Sequence, residues 1–144
     1  MELNNNEIQK IISFLQSKMK LRLLILYGSY ASGHATEKSD IDLAFISDDD
    51  IDPFELSFNI SQELDRLMHV KSVDLIDLKK IDTVFRFEIV STGKIIFQDG
   101  DFDEYLYRVY TMYLQFNDDR REILENYSKM ISNRFRLKGI SHGR

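Results

Sequence analysis

The sequence predicts one α/β (α+β) domain: a small mixed β-sheet flanked by helices, with a helical extension at the C-terminus. Three observations carry that expectation. Short, largely apolar stretches of strand length lie at 23–27, 41–46 and 72–76, the first ending at a glycine. Between and after them, apolar residues recur at helical spacing. A chain of 144 residues, 43% hydrophobic and 30% charged, has the size and composition of a single globular domain with its own core.

Asn4 and Glu7 have the spacing of a capping box, so the first helix starts there. Ile8, Ile11, Ile12 and Leu15 give it one buried face, and Lys18 to Lys20 end it. Strands are expected at 21–27 and 40–46. An acidic loop containing Asp48, Asp49, Asp50 and Asp52 follows. Asp52-Pro53-Phe54-Glu55 then opens a second helix. Aspartate caps it, proline sits where its missing N–H is harmless, and glutamate closes the box. That helix should reach Met68, with Phe58, Leu64 and Leu67 in the core.

A third strand at 72–76 carries Asp74. The next helix, 81–91, should stop at Thr92-Gly93 as at a glycine C-cap, and 94–98 reads as a short edge strand. Asp101 to Glu104 again has cap spacing. It opens a pattern through Leu106, Val109, Tyr110, Tyr113, Leu114, Ile123, Leu124, Tyr127, Met130 and Ile131 to about residue 136. An unbroken helix there would be roughly 50 Å long, against a radius of gyration of about 15 Å for a domain of this size. Either it breaks near Asn117 to Asp119 and folds back with those residues in the core, or its end projects. A projecting end would offer Tyr127, Met130, Ile131 and Phe135 as partner surface.

The chemistry concentrates between residues 26 and 45. The first strand leaves through Gly28-Ser29, and ten residues later comes Asp40-Ile41-Asp42. Alternation points Asp40 and Asp42 one way and Ile41 and Leu43 the other. Two carboxylates on one face repel unless a cation lies between them. Hard oxygen ligands suit Mg²⁺, which is held by one or two carboxylates together with substrate phosphates. Glycine admits close approach of backbone to a ligand, and the N–H groups of a turn attract phosphate. A phosphate cradle facing a carboxylate pair is the equipment of metal-assisted nucleotidyl or phosphoryl transfer.

Gly28-Ser29, ten intervening residues and Asp40-x-Asp42 resemble the G-S-x10-D-x-D signature of the DNA polymerase β-like nucleotidyltransferase superfamily. The small size resembles its shortest branch, the minimal nucleotidyltransferases (MNT). The segments Val73-Asp-Leu-Ile-Asp-Leu78, 87–97 and the helical tail with Tyr113-Leu-Gln-Phe116 are most similar to the MNT antitoxins of HEPN–MNT toxin–antitoxin pairs. The resemblance implies a nucleotidyltransferase core at 1–100, a helix or helical hairpin packed on it at 101–137 that binds a partner, and a flexible tail at 138–144.

It implies that Asp40 and Asp42 hold Mg²⁺, with two ions in all, against the triphosphate of ATP. Gly28, Ser29 and Tyr30 would bind the β- and γ-phosphates, Ser29 with its side chain and all three with backbone N–H groups. Asp74 would be the third carboxylate, accepting the proton of the attacking hydroxyl or holding the second metal. Asp77 competes for that place, but alternation puts it on the face opposite Asp74 and Ile76, and the resemblance selects Asp74. The acceptor so implied is a tyrosine of a cognate HEPN ribonuclease toxin, silenced by AMP transfer. Two alternatives stay open: an antitoxin that only masks its toxin, and a nucleotidyltransferase acting on a small molecule such as an aminoglycoside. Many relatives read Gly-Ser-x-Ala-Arg-Gly, whereas Ser32 stands at the arginine position here, with Lys38 or Arg22 as candidate substitutes.

Other classes are excluded or disfavoured. There is no cysteine, hence neither disulfide framework nor thiolate metal site. His34, His69 and His142 have no zinc spacing, although His34 lies in the motif loop within reach of phosphate. The N-terminus lacks the pattern of a signal peptide, and no apolar run approaches the ~20 residues of a membrane span, so a cytoplasmic protein is expected. A net charge of −5 argues against a surface built for nucleic acid. Beyond Glu125 the chain has no acids but carries Lys129, Arg134, Arg136, Lys138 and Arg144, as a solvated helix end or as a docking surface for an acidic partner or RNA.

Overall fold

The computed structural model describes residues 1–69 and 71–137, without the side chains at 123, 124, 127, 131 and 133–137. The tail at 138–144, and the surface expected from Tyr127, Ile131 and Phe135, lie outside the described residues. The element order is α1 (Asn5–Lys18), β1 (Leu21–Tyr27), α2 (Ser29–Ser32), β2 (Ile41–Ser47), α3 (Pro53–Glu55), α4 (Ser61–Met68), β3 (Val73–Asp77), α5 (Thr83–Thr92), β4 (Lys94–Gln98) and α6 (Asp103–Leu137). The sheet order is β3-β2-β1-β4. β1 pairs antiparallel with both β2 and β4, whereas β2 and β3 run parallel, so the sheet is mixed with β4 at one edge. No helix among the described residues is long and apolar enough to cross a membrane.

The strands bury both faces, which is why they read as nearly continuous apolar runs. One face is packed by α1 and α4, through Ile11, Leu15, Leu24, Leu43, Phe45, Leu64 and Leu75. Ile25, Ala44, Ile46 and Ile89 form the other, with Tyr27, Ile76, Phe85 and Tyr105 partly buried against them. The first helix begins as its sequence dictates. The Asn4 side chain accepts from the Glu7 N–H at 2.8 Å, and the Glu7 carboxylate accepts from the Asn4 N–H at 3.2 Å. Glu7 also pairs with Lys71 at 2.7 Å, tying α1 to the start of β3. That contact holds the Glu7 carboxyl below its ordinary range.

Asp52 caps the second helical stretch, accepting from the Glu55 N–H at 3.2 Å. From Leu56 to Ile60 the chain winds as a π-helix before continuing as α4. Leu56, Ile60, Leu64 and Met68, spaced by four, are the buried residues of this rod. The wider π turn keeps a spacing of four on one line, where 3.6 residues per turn would carry it round. Phe58, expected in the core, falls two residues out of that register and is 54% exposed, its ring against that of Phe54.

Asp82, not Ile81, starts α5, its carboxylate accepting from the Phe85 N–H at 2.7 Å. Gly93 does not end α5 as a left-handed cap, for its φ is −78°. Glycine is required there by proximity: a Cβ would lie 2.5 Å from Ile25 Cγ2 and 2.6 Å from the Ile89 carbonyl oxygen. α6 is unbroken through Asn117 to Asp119. Its early turns pack on α5, with Tyr113 stacked on Phe87 at 3.8 Å and Tyr110 edge-on at 5.1 Å.

Gly93→Ala should therefore destabilise the fold by about 2 kcal/mol, because backbone atoms on two sides cannot yield. Thermal unfolding checks this, with a midpoint lowered by roughly 5 °C or more expected.

Candidate active site

β1 ends at Tyr27, and the chain turns out of the sheet at Gly28 with φ +71°. That conformation favours glycine. A Cβ there would also run into the Asp42 carboxylate, whose Cγ would stand only 3.2 Å away. The Asp42 side chain thus lies directly against the Gly28 α-carbon. The spacing of the motif is in this way converted into contact between its two halves.

The single turn α2 follows, with the Gly28 carbonyl accepting from the Ala31 and Ser32 N–H groups, each at 3.1 Å. The N–H groups of Ser29 and Tyr30, at the head of the turn, have no carbonyl partner among the described residues. Tyr30 offers the site its backbone only. Its ring is 3% exposed, packed into the α1 side of the core with Lys71 Nζ 5.7 Å from the ring centre.

Across the sheet, Asp42 is in register with Tyr27 of β1 and with Asp74 of β3. Neighbouring strands lie about 4.8 Å apart, so these three side chains form a row on the α5 side. Asp40 stands one residue before β2, exposed at the mouth. Burial raises the Asp42 carboxyl above its ordinary range, and the charges of Asp74 and then Asp40 raise it further. Burial likewise pushes the Tyr27 phenol up, with Asp74 and Asp42 adding to it, so Tyr27 is neutral. Asp77 is 5% exposed, and its Oδ1 accepts from the Lys79 N–H at 3.0 Å, a local turn contact away from the row.

Beside the row lies a cleft of about 350 Å³ lined by Tyr27, Gly28, Ser32, Phe85, Glu88, Ile89 and Thr92. Phe85 meets Tyr27 edge-on at 6.0 Å. Nothing local in the sequence marks Phe85, Glu88 or Thr92 as site residues, since they reach the cleft from a helix more than fifty positions beyond the Gly28 bend. Ser32 borders this cleft, its hydroxyl donating to the Ser29 carbonyl at 3.3 Å, with His34 Nδ1 at 3.0 Å. Arg22 cannot substitute for an arginine at 32. It lies near the opposite end of β1, 3.4 Å from the Asp48 carboxylate. Lys38 is exposed two residues before Asp40.

No three ligating groups among the described residues form a closed cation cage. The donor set still fits a hard divalent ion of the open kind, which takes one or two carboxylates and completes its shell with water and substrate oxygens. Asp42 and Asp74, in register on adjacent strands, supply the acidic oxygens such an ion takes.

The sign of the resulting linkage is definite. A carboxyl whose folded pKa is raised costs stability as pH climbs through its range, and none below the unfolded value of about 3.9. Asp42→Asn should therefore raise the melting temperature at pH 7 in the presence of a chelator, and this gain should vanish near pH 3. Melting curves at the two pH values check it.

The polymerase beta nucleotidyltransferase family matches residues 9–101. The protein adenylyltransferase MntA of Shewanella oneidensis is 32% identical over 130 residues, covering 87% of this chain and 88% of its own. A chain of a solved toxin–antitoxin complex with AMP-PNP superposes with a TM-score of 0.73 at 30% identity, covering 88% of this chain and 99% of that one. Another, from the structure of a tri-AMPylated Shewanella oneidensis HEPN toxin with its MNT antitoxin, gives 0.70 at 27% identity, with 88% and 99% coverage. The match spans most of the chain and includes the bend, the carboxylate row and the strands that carry them: this protein belongs to the polymerase beta nucleotidyltransferase family.

Proposed function

We propose that the protein is an antitoxin that transfers AMP from ATP to a tyrosine hydroxyl of a HEPN-type toxin ribonuclease and thereby neutralises it. The observation that carries this reading is the register of β2 with β3. It sets Asp42 beside Asp74, against the Gly28 bend, on one face of the sheet. The similarity to MntA and to MNT antitoxins solved with HEPN toxins supports the choice of acceptor.

The tyrosine oxygen attacks the α-phosphorus of ATP. A phosphorus–oxygen bond forms there as the bond to the β-phosphate oxygen breaks, and pyrophosphate leaves with the electron pair. Asp74, solvent-facing beside Asp42, accepts the phenol proton or contributes to a second ion. The N–H groups of Gly28, Ser29 and Tyr30, with the Ser29 hydroxyl, hold the β- and γ-phosphates. The adenosine enters the cleft that Tyr27, Phe85, Glu88 and Thr92 line. Asp40 and Asp42 would hold Mg²⁺, which when bound would supply charge neutralisation at the phosphates. Tyr107, Leu114 and Phe116 on α6 are exposed apolar side chains available to the partner.

Ser32 favours a second reading, in which the chain masks its toxin without modifying it. It lacks the fixed charge and bidentate grip of an arginine on phosphate. Intact mass of the co-expressed toxin separates the two. Adenylyl increments with the wild-type protein, absent with Asp42→Ala, are expected, and an unmodified but silent toxin would establish masking. In a reconstituted assay with ATP and Mg²⁺, Asp42→Ala and Asp74→Ala should each slow transfer by more than about 100-fold, the scale at which even outer partners of metal ligands act.

A further inference from the structure

The α5–α6 side of the sheet carries a second concavity, at the end remote from the Gly28 bend. It is a pocket of about 340 Å³ lined by Lys79, Arg86, Tyr105, Arg108, Val109 and Met112. Three of six lining side chains are cationic and none is acidic, in a chain whose net charge is −5. Two of the cations are held rigidly. Lys79 Nζ donates to the Ser47 carbonyl at 2.8 Å, and Arg86 donates through Nε to the Leu78 carbonyl at 2.9 Å and through Nη2 to that of Ile81 at 2.8 Å. These bonds leave Arg86 Nη1 and two N–H groups of Lys79 uncommitted. Arg108 is exposed and engages no carboxylate or carbonyl among the described residues.

Two buried oxygens sharpen the picture. The Tyr105 hydroxyl and Asp77 Oδ2 have no hydrogen-bond partner among the described residues. Asp77 is only 5% exposed, with Lys80 Nζ at 4.0 Å. A buried hydroxyl without a partner is costly, and a cationic pocket offers it an oxyanion to donate to. Val109 and Met112 add an apolar wall larger than bare phosphate needs.

We propose that this pocket is a second ligand site, for a phosphate monoester carrying an apolar or planar body, the mononucleotide class. Arg108 closes on the phosphate, Arg86 and Lys79 supply fixed charge, and Tyr105 donates its hydroxyl. The site stands apart from the carboxylate row and does not depend on the transfer reaction.

Calorimetric titration of the full chain with AMP, inorganic phosphate and adenosine tests it. In the Asp42→Asn protein, AMP should bind as in wild type, phosphate more weakly, and adenosine at least about tenfold more weakly than AMP, the worth of one charged hydrogen bond. Arg108→Glu, at an exposed position, should weaken AMP binding by about tenfold or more, and Tyr105→Phe by a smaller factor, with melting temperatures reported for each. Four results would overturn the proposal. They are no AMP binding at millimolar concentration, binding lost in Asp42→Asn but kept in Arg108→Glu, adenosine binding as tightly as AMP, and Arg108-dependent binding of an RNA oligonucleotide without mononucleotide binding.

Discussion

One close approach governs the site: the Asp42 carboxylate lying against the Gly28 α-carbon. It requires a residue without a side chain at the end of β1, and it determines where the acid on β2 can point. Because β1 and β2 are antiparallel neighbours, the bend and the carboxylate are drawn together by the ladder itself. The parallel pairing of β2 with β3 then brings Asp74 alongside without any special loop. The neighbouring carboxylates of Asp42 and Asp74 are tolerated because Asp74 is exposed and Asp42 only partly covered, so water and, in the proposed function, a divalent ion and phosphates can reach them.

The two faces of the sheet divide the labour. On one, α1 and α4 cover the strands with fully buried side chains such as Ile11, Leu15 and Leu64. The turn α2 is anchored to that side by the ring of Tyr30, beneath the Lys71–Glu7 pair. The backbone that would grip the nucleotide therefore rests on the better packed half. The other face holds the carboxylate row, the cleft and the cationic pocket.

Most of the strand and helix plan was legible in the sequence, because its signals are local. Asn4 with Glu7, Asp52 with Glu55, and the spacing from Gly28 to Asp42 each act within a few residues or one hairpin, and each behaves as its chemistry dictates. What escaped was set by contacts between distant segments. Phe58 is exposed because a π turn carries the buried line through Leu56 and Ile60 instead. Gly93 is glycine because Ile25 and Leu26 crowd it, a fact invisible to a reading of helix ends. The lining of the cleft by Phe85 and Glu88 depends on how α5 lies over β1, which no periodicity encodes. The continuity of α6 was left undecided because an Asn-Asp-Asp run weakens a helix without forbidding it.

The lighter cover of the functional face has a kinetic meaning. α5 and the early turns of α6 contribute few fully buried side chains, among them Ile89 and Val109, and the Phe87–Tyr113 stack joins the two helices to each other. Segments with few fully buried anchors open at a lower free-energy cost than the whole molecule does. Local opening of that helical wall should therefore cost less than unfolding the strands that bear Asp42 and Asp74, whose other face is packed by α1 and α4.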